Sequence, residues 1–255
     1  MPRLDVVIPV YNEERALPAA IERLSAHLDG YKHDWRIVIA DNASIDRTAD
    51  VAARLAKAER VEYVRIPRKG RGGALKQVWL ASDADILSYM DVDLSTDLHA
   101  LPDLIGAIVV EGYDLATGSR NMRGSKLHRS LGRRALTWTY NHLLRAFLGV
   151  GFSDAQCGFK AISREAAQAL LSDIEDNNWF FDTELLVIAE KAGYRVKDIP
   201  VTWIEDKDSR VNIPATIAED LRGMWRLRRG KPWIQIAPPA HSPRAGADVS
   251  SAGLH

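Results

Sequence analysis

Residues 89–97, Tyr-Met-Asp-Val-Asp-Leu-Ser-Thr-Asp, change within a few positions from an apolar run to a group of carboxylates. The apolar residues from Ile86 to Met90 are typical of a buried strand, and Asp91 and Asp93 then project on one face because side chains alternate along a strand. In an open α/β sheet, ligands bind at the carboxyl ends of the strands. Two such carboxylates suit Mg²⁺ or Mn²⁺. The stretch therefore predicts a divalent-metal site at a sheet edge, although a solvated acidic turn has the same pattern.

The chain before this stretch alternates between short apolar runs and polar loops that lead into amphipathic segments. Strands that alternate with helices at this spacing indicate βαβ units. The sequence therefore predicts an α/β fold with a mostly parallel sheet flanked by helices. We expect strands at Leu4–Val10, Trp35–Ala40, Val61–Ile66 and Ile86–Met90, and a later edge strand at Tyr194–Trp203 that Pro200 interrupts.

The composition sets limits on the class of protein. A chain of 255 residues can form one α/β domain with appendages. Its 34 Lys and Arg residues equal its 34 Asp and Glu residues, so no overall charge favours nucleic acid as a partner. The single cysteine, Cys157, fits a reducing compartment. Since the sequence shows neither a secretory signal nor an apolar run of about 18 residues, we expect a cytoplasmic location without a membrane span.

Polar residues follow each of the first three predicted strands. Tyr11 and Glu13 follow the first, Asp41 follows the second, and Lys69 lies in a glycine-rich loop after the third. They offer a ring that can stack on a base, carboxylates for ribose or base donors, and backbone N–H groups for a phosphate. The loop matches neither a dinucleotide fingerprint nor a P-loop. A nucleotide site fits this pattern, and so do ordinary turn-capping residues beside a tight connection.

Several motifs occur in a definite order. They are Pro9-Val10-Tyr11-Asn12-Glu13, Asp41 with Ser44 and Asp46, Lys69-Gly70 with Gly72-Gly73-Ala74, and Asp91-Val92-Asp93. This ordered set resembles family 2 glycosyltransferases of the GT-A fold. Later segments are similar to the dolichyl- or polyprenyl-phosphate sugar synthases of that family, nearer to the glucosyltransferase branch than to the mannosyl branch: Gly118-Ser119-Arg120, residues 154–160, residues 181–185 and Ser209-Arg210. The resemblance spans roughly residues 4–230.

The resemblance implies which residues bind the donor. Residues matching Asp91 and Asp93 approach the diphosphate of a nucleotide sugar together with Mg²⁺ or Mn²⁺. A basic residue in a later loop, matched here by Arg210, closes over the same diphosphate. Position 95 is serine here, where archaeal mannosyl relatives have a glutamine ligand, so the preferred ion stays open. The residues that hold or adjoin the nucleoside are those matching Pro9, Tyr11, Glu13, Asp41 and Lys69.

The resemblance also implies how the acceptor binds. In the lipid-phosphate sugar synthases, residues matching Arg120 and Arg133 bind the phosphate of the acceptor lipid, for which the planar fork of arginine is suited. A phosphate monoester is anionic near neutral pH and needs no strong base, and direct displacement with inversion is the implied reaction. Asp154 and Asp182 are further candidates for contact with sugar or acceptor. Asp182 is equally suited to capping the helix that follows it.

Two segments, about 117–150 and 213–233, have the pattern of helices that lie on a membrane surface. In the first, Lys126, Arg129 and Arg133 would share one side of a helix. Apolar residues follow at Leu136, Tyr140, Leu143, Leu144 and Phe147, and the second segment combines Ile217, Leu221 and Trp225 with Arg222, Arg226 and Arg229. Apolar sides that pack on the domain explain the same spacing. We expect residues 1–236 to form the GT-A domain and residues 237–255 to form a disordered tail.

The sequence thus predicts a metal-dependent, inverting enzyme that transfers a sugar to polyprenyl phosphate and lies peripherally on the inner face of the cell membrane. The similarity to the glucosyl branch favours UDP-glucose, UDP-N-acetylglucosamine or UDP-N-acetylgalactosamine over GDP-mannose. One alternative is a glycosyltransferase acting on a soluble saccharide hydroxyl, with Asp154 or Asp182 as base. A sugar nucleotidyltransferase and a non-catalytic nucleotide-sugar sensor are two others. Pairing with itself or with a membrane protein is compatible with all of them.

Overall fold

The computed structural model describes residues 2–32, 34–128, 131–204 and 213–239. Its strands are β1 (Arg3–Val10), β2 (Asp34–Asn42), β3 (Val61–Ile66), β4 (Ile86–Met90), β5 (Leu115–Ser119), β6 (Lys126–His128), β7 (Phe159–Ser163), β8 (Val196–Pro200) and β9 (Thr202–Ile204). Its α-helices are α1 (Leu17–Leu28), α2 (Thr48–Leu55), α3 (Arg71–Ala81), α4 (Leu101–Val109), α5 (Leu131–Leu148), α6 (Arg164–Leu170), α7 (Phe181–Lys191) and α8 (Ile213–Gly230). All four strands expected up to Met90 are present, and β3 and β4 have the expected bounds.

Seven strands form one sheet in the order β3-β2-β1-β4-β7-β5-β8. Strand β7 is antiparallel to β4 and β5, whereas the other neighbouring strands are parallel. Strands β6 and β9 form a separate parallel pair. The predicted α/β fold with a mostly parallel sheet is therefore confirmed. Because β1, β2 and β4 are parallel, the loops that follow them lie at one edge of the sheet.

The apolar runs of the central strands are long because both faces of the sheet are covered. Val7 of β1 packs in one buried cluster, and Val6 and Ile8 pack in the other. The first cluster continues into α3, α7 and α8, and the second into α1 and α4. A two-sided core fixes the register of β1, since a shift by one residue would exchange its two faces.

Strand β8 confirms the interrupted edge strand. It pairs with β5 at the edge of the main sheet and ends at Pro200, after which β9 pairs with β6 in the small sheet. Proline has no N–H to donate to a further ladder, so the chain changes sheets at this residue.

The segment 117–150 differs from the prediction of a helical region. Its first part belongs to β5, and Lys126 lies in β6, so Lys126 and Arg133 do not share one side of a helix. The helix α5 begins only at Leu131. Arg129 lies outside the described residues, as do residues 240–255 of the predicted tail. Three-residue strands that pair with a distant partner leave no periodic signal, which is why the pattern suggested a helix.

Helix α8 packs on the domain through Asp220, Gly223, Met224 and Leu227. Gly223 allows the closest approach, since a Cβ atom there would lie 2.4 Å from two ring carbons of Phe180. No helix among the described residues has the length and apolar character needed to cross a bilayer.

Gly223→Ala is expected to destabilise the protein by about 1–3 kcal/mol, because the buried Phe180 ring has no room to move away from an added methyl group. The measurement is thermal or urea unfolding of the purified protein. Gly106→Ala is the matched control: Gly106 lies inside α4 with open space around it, so alanine is expected to add up to about 1 kcal/mol of stability. A Gly223→Ala protein as stable as wild type would show that α8 does not pack here.

Candidate active site

The acidic turn after β4 forms the centre of a cleft. The N–H of Asp91 donates to the carbonyl of Gly158 at 3.2 Å, and the N–H of Leu94 donates to the carbonyl of Asp91 at 3.1 Å. Leu94 has a φ of 48° and closes the turn, while Asp93 accepts a hydrogen bond of 2.9 Å from the N–H of Ser95. The residues that line the cleft are Met90, Asp91, Asp93, Leu94, Ser95, Thr96, Gly158 and Trp203. The structure thus brings the two predicted carboxylates to one cleft at the expected edge of the sheet.

Gly158 brings the later segment 154–160 into direct contact with the acidic pair. A Cβ atom at this position would lie 1.7 Å from Oδ2 of Asp91. Glycine alone lets the start of β7 pass directly beside the carboxylate. The antiparallel strand therefore forms one wall of the cleft.

The carboxylate pair fits Mg²⁺ or Mn²⁺ that is bound jointly with a substrate. Among residues 2–32, 34–128, 131–204 and 213–239 no group of three or more His, Cys, Asp or Glu side chains is placed to hold a metal ion. Two carboxylates with open positions for water and phosphate are a common arrangement for Mg²⁺. Asp91 and Asp93 are the residues that would hold the ion, and Ser95 lines the same cleft.

Arg71 was not predicted as a site residue, yet it connects the cleft to the core. It is the first residue of α3, and its guanidinium donates to Oδ1 of Asp91 and to Oδ2 of Asp182, both at 2.7 Å. The guanidinium carbon also lies 4.8 Å from the Tyr89 ring centroid and 5.2 Å from that of Trp179. The available signal was its sequence position, two residues after Lys69 at the end of the glycine-rich loop.

Asp182 is buried behind the acidic turn, and Arg71 connects it to Asp91. It accepts hydrogen bonds from Arg71 and from the Tyr89 hydroxyl, and its carboxylate lies 3.2 Å from Nζ of Lys160. Burial opposes ionisation, but the charges of Lys160 and Arg71 outweigh it and lower the pKa of Asp182. The predicted N-cap role is wrong, because Phe180 is the N-cap of α7 and Asp182 lies inside its first turn.

Arg120 and Asp154 form a second buried pair. The Arg120 side chain donates to both carboxylate oxygens at 2.7 and 2.9 Å, and its backbone N–H donates to Oδ2 at 3.1 Å. Although burial alone would raise it, the pKa of Asp154 is lowered by the adjacent guanidinium. The guanidinium carbon of Arg120 lies 5.5 Å from the ring centroid of Trp203, which lines the cleft. Arg120 is thus placed beside the acidic turn, with its fork directed to Asp154.

The predicted nucleoside residues lie at the carboxyl ends of β1 and β2 and in the loops after β1 and β3. Nζ of Lys69 lies 3.9 Å from the centroid of the Tyr11 ring, so these two predicted residues are brought together. Asp41 is fully buried and accepts hydrogen bonds from the N–H of Ser44 at 2.9 Å, the Tyr63 hydroxyl at 3.1 Å and Arg65. Asp41 therefore caps its turn, which was the alternative to a nucleotide contact in the sequence analysis.

Pro9 and Glu13, which were also predicted to hold the nucleoside, take part in the fold through their backbones. Pro9 is buried in β1 beside Ala40, and the N–H of Glu13 donates to the Thr48 hydroxyl at 2.8 Å. Their contact with a nucleoside stays a prediction. The side chain of Arg133 and the whole of Arg210 lie outside the described residues.

Asp220 of α8 is a further residue that the sequence did not indicate. Its Oδ2 accepts a hydrogen bond of 3.0 Å from the Gln156 side chain, two residues after Asp154. In the described part of the chain, its Oδ1 accepts no hydrogen bond. Burial raises the pKa of Asp220 to about 7.

The fold is shared with a solved glycosyltransferase. Glucosyl-3-phosphoglycerate synthase from Mycobacterium tuberculosis, determined with Mn²⁺, UDP and glucosyl-3-phosphoglycerate, aligns with a TM-score of 0.68 over 94% of this chain and 82% of that one. The two sequences are 20% identical, so the likeness concerns the fold. The fold is that of the GT-A class of nucleotide-sugar glycosyltransferases, as the sequence predicted.

Sequence comparison identifies the family. The model of glycosyl transferase family 2 matches residues 5–171, and the chain belongs to that family. The glycosyltransferase AglD of Haloferax volcanii is 39% identical over 232 residues, which are 88% of this chain but only 37% of AglD. The dolichyl-phosphate beta-glucosyltransferase ALG5D of Trichomonas vaginalis is 33% identical, over 83% of this chain and 68% of that protein. The yeast dolichyl-phosphate beta-glucosyltransferase is 30% identical, over 82% and 69%. The predicted resemblance to the dolichyl-phosphate glucosyltransferase branch is confirmed.

Asp220→Asn is expected to make the protein more stable than wild type at pH 8. The pKa of Asp220 is raised in the fold from an unfolded value of about 3.9, so the folded state holds a proton that the unfolded state has lost between about pH 4 and 7. Stability of the wild type falls as pH rises through this window, and the penalty is complete above it. The asparagine removes the penalty, worth about 1–3 kcal/mol.

Unfolding curves at pH 4, 6 and 8 measure this difference. The greater stability of Asp220→Asn relative to wild type should vanish toward pH 4. The control Glu59→Gln, at an exposed turn, should have the stability of the wild type at all three pH values. A constant difference between Asp220→Asn and wild type at all three pH values would contradict the assignment.

Proposed function

We propose that this protein transfers a sugar from a nucleotide-diphosphate donor to a polyprenyl phosphate, with inversion and with the aid of a divalent ion. The observation that carries the proposal is the state of the two candidate bases. Asp154 and Asp182 are buried, ion-paired with Arg120 and with Arg71 and Lys160, and lowered in pKa. A hydroxyl acceptor needs a base to take its proton, whereas a phosphate monoester is already anionic.

The reaction then needs no proton transfer to the protein. An oxygen of the acceptor phosphate forms a bond to the anomeric carbon, and the bond from that carbon to the donor diphosphate breaks. The nucleoside diphosphate leaves with both electrons of the broken bond. Attack from the face opposite the leaving group inverts the anomeric centre. The protein's task is to align the two phosphates and to stabilise the charge that develops on the leaving group.

Asp91 and Asp93 would hold Mg²⁺ or Mn²⁺ on the donor diphosphate. The ion supplies positive charge to the leaving diphosphate. Arg71 forms a salt bridge of 2.7 Å with the half-buried Asp91 and another of 2.7 Å with the buried Asp182. It therefore keeps Asp91 in place. The solved glucosyl-3-phosphoglycerate synthase, which shares the fold, was determined with Mn²⁺ and UDP, and this supports the use of a divalent ion.

The donor is proposed to be a UDP-sugar, with glucose, N-acetylglucosamine and N-acetylgalactosamine as candidates and GDP-mannose as the less favoured donor. The support is the similarity to proteins named dolichyl-phosphate beta-glucosyltransferase. The Tyr11 ring and Lys69 lie together at the end of β1 and would adjoin the nucleoside. Arg120 and Arg133 are proposed for the acceptor phosphate, and Arg210 for closure over the donor.

Helix α8 supports a location at the membrane surface. Its outward side carries Ile217, Leu221 and Trp225, which are 41%, 50% and 57% exposed, whereas the outward side of a helix packed on its domain is usually polar. Trp225 stacks on Phe147 of α5 at 6.5 Å, and the exposed Leu143 and Trp138 of α5 extend the apolar surface. Arg222 and Arg229 flank the row, while Arg226 turns inward to Glu184. We propose peripheral binding to the cytoplasmic face of an anionic membrane.

The reaction is tested by supplying labelled UDP-glucose, UDP-N-acetylglucosamine, UDP-N-acetylgalactosamine and GDP-mannose with polyprenyl phosphate and either Mg²⁺ or Mn²⁺. We expect label in an acid-labile product that partitions into organic solvent, with no product in the presence of EDTA. Asp93→Asn should fold normally, since the asparagine keeps the acceptor for the Ser95 N–H, and should lower the rate at least about a hundredfold. Label found only in a water-soluble saccharide would reject the lipid acceptor, and pyrophosphate release from a nucleoside triphosphate would indicate a nucleotidyltransferase.

The membrane surface is tested with the double variant Leu221→Ser and Trp225→Ser in co-sedimentation with vesicles of phosphatidylglycerol and phosphatidylcholine. Loss of two large apolar side chains should weaken binding at least about tenfold. Val110→Ser, at an exposed apolar residue after α4, is the control and should bind as wild type does. Equal binding of the double variant and the control would exclude α8 as the docking surface.

A further inference from the structure

The carboxylate of Asp91 already has a cation beside it. Oδ1 of Asp91 accepts a hydrogen bond of 2.7 Å from Arg71, whose side chain is 10% exposed, while the Asp91 side chain is 42% exposed. The arginine therefore approaches from inside the protein, and the open side of the carboxylate faces the cleft. A divalent ion at Asp91 would meet this guanidinium charge at close range.

The charges of the four linked side chains, Asp91, Asp182, Arg71 and Lys160, balance without an added ion, and the exposed Asp93 adds one negative charge beside them. Asp91 and Asp182 carry two negative charges, and Arg71 and Lys160 carry two positive charges. Lys160 also donates to the carbonyls of Ala155 and Cys157, at 3.0 and 2.6 Å, so its position is fixed by the backbone. Within the part of the chain that the structure describes, the Arg71 guanidinium contacts the two carboxylates and the Tyr89 and Trp179 rings, and it donates to no backbone carbonyl.

We propose that Arg71 is an internal counter-cation that neutralises Asp91 in the metal-free cleft and turns toward the donor diphosphate when a divalent ion takes over that carboxylate. The inference rests on the proposed metal role of Asp91 and adds a residue to it. Arg71 is a positioning residue while it holds Asp91, and it becomes a phosphate ligand when the donor is bound. The planar fork of arginine suits both partners.

The consequence is that metal and nucleotide bind cooperatively. A divalent ion alone adds two positive charges where Arg71 already balances Asp91 and Asp93 adds one further negative charge. The resulting excess of positive charge is unfavourable in a partly desolvated cleft. The nucleoside diphosphate brings negative charge that both the ion and the released Arg71 can contact. Each ligand therefore raises the affinity for the other, and the effect is reciprocal.

The experiment measures Mn²⁺ binding by titration calorimetry, with and without UDP, so that no turnover is needed. Arg71→Gln removes the positive charge but leaves Asp182 bound to Tyr89 and Lys160, which keeps the buried carboxylate paired. We expect Arg71→Gln to bind Mn²⁺ alone at least about tenfold more tightly than wild type. The increase in Mn²⁺ affinity caused by UDP should be smaller in this variant than in wild type.

Two further variants separate charge from geometry. Arg71→Lys keeps the charge but not the fork, and its affinity for Mn²⁺ alone should stay close to wild type. Arg68→Gln removes an exposed positive charge three residues earlier and should also leave Mn²⁺ binding unchanged. Unchanged or weaker binding of Mn²⁺ alone by Arg71→Gln would overturn the inference.

Asp91→Asn distinguishes this failure from failure of the proposed function. Loss of Mn²⁺ binding in Asp91→Asn, together with wild-type binding in Arg71→Gln, would retain the metal site and reject the role of Arg71. Mn²⁺ binding that is the same in Asp91→Asn and wild type would reject the metal site itself, and the inference with it.

Discussion

The pairing of buried charge is the constraint on which the cleft depends. Asp182 and Asp154 have almost no contact with solvent, and an unpaired carboxylate in such a place is strongly unfavourable. Their partners come from distant parts of the chain: Arg71 begins α3, Lys160 lies in β7, and Arg120 follows β5. Each pair therefore joins two elements that the core alone would hold less firmly. Removal of one member of such a pair typically costs about 3–5 kcal/mol, because the other charge stays buried.

This arrangement divides the acidic residues of the cleft into two groups. Asp154 and Asp182 are buried and ion-paired with basic side chains, which lower their pKa values and make them poor proton acceptors. Asp91 and Asp93 lie at the turn, where part of each carboxylate stays accessible. A cleft built in this way suits two anionic substrates better than a neutral alcohol, since its buried carboxylates are poor bases and its acidic turn suits a metal ion that binds phosphate groups.

The sequence predicted the first half of the fold well, because strands buried on both faces leave continuous apolar runs. The sequence also indicated Asp91 and Asp93 as site residues, because the two carboxylates lie within three consecutive residues at the end of an apolar run. It failed between residues 117 and 128, where β6 is three residues long and, among the described strands, pairs with the distant β9. Arg71 was missed for a related reason: its partner Asp182 lies 111 residues away, and only the folded sheet brings them together. Asp220 depends in the same way on the packing of α8 against Gln156.

The antiparallel strand β7 has a consequence for biosynthesis. It joins β4 to β5, and through β5 to β8, so two parts of the sheet meet only through residues 159–163. During translation β1 to β4 can assemble first, but β4 then presents a bare edge until β7 leaves the ribosome, and β5 has no neighbour to join. Unpaired strand edges of this kind can form hydrogen bonds with strands of other chains. The interval between the synthesis of β4 and that of β7 is therefore one in which the edge of β4 is open to pairing with other chains.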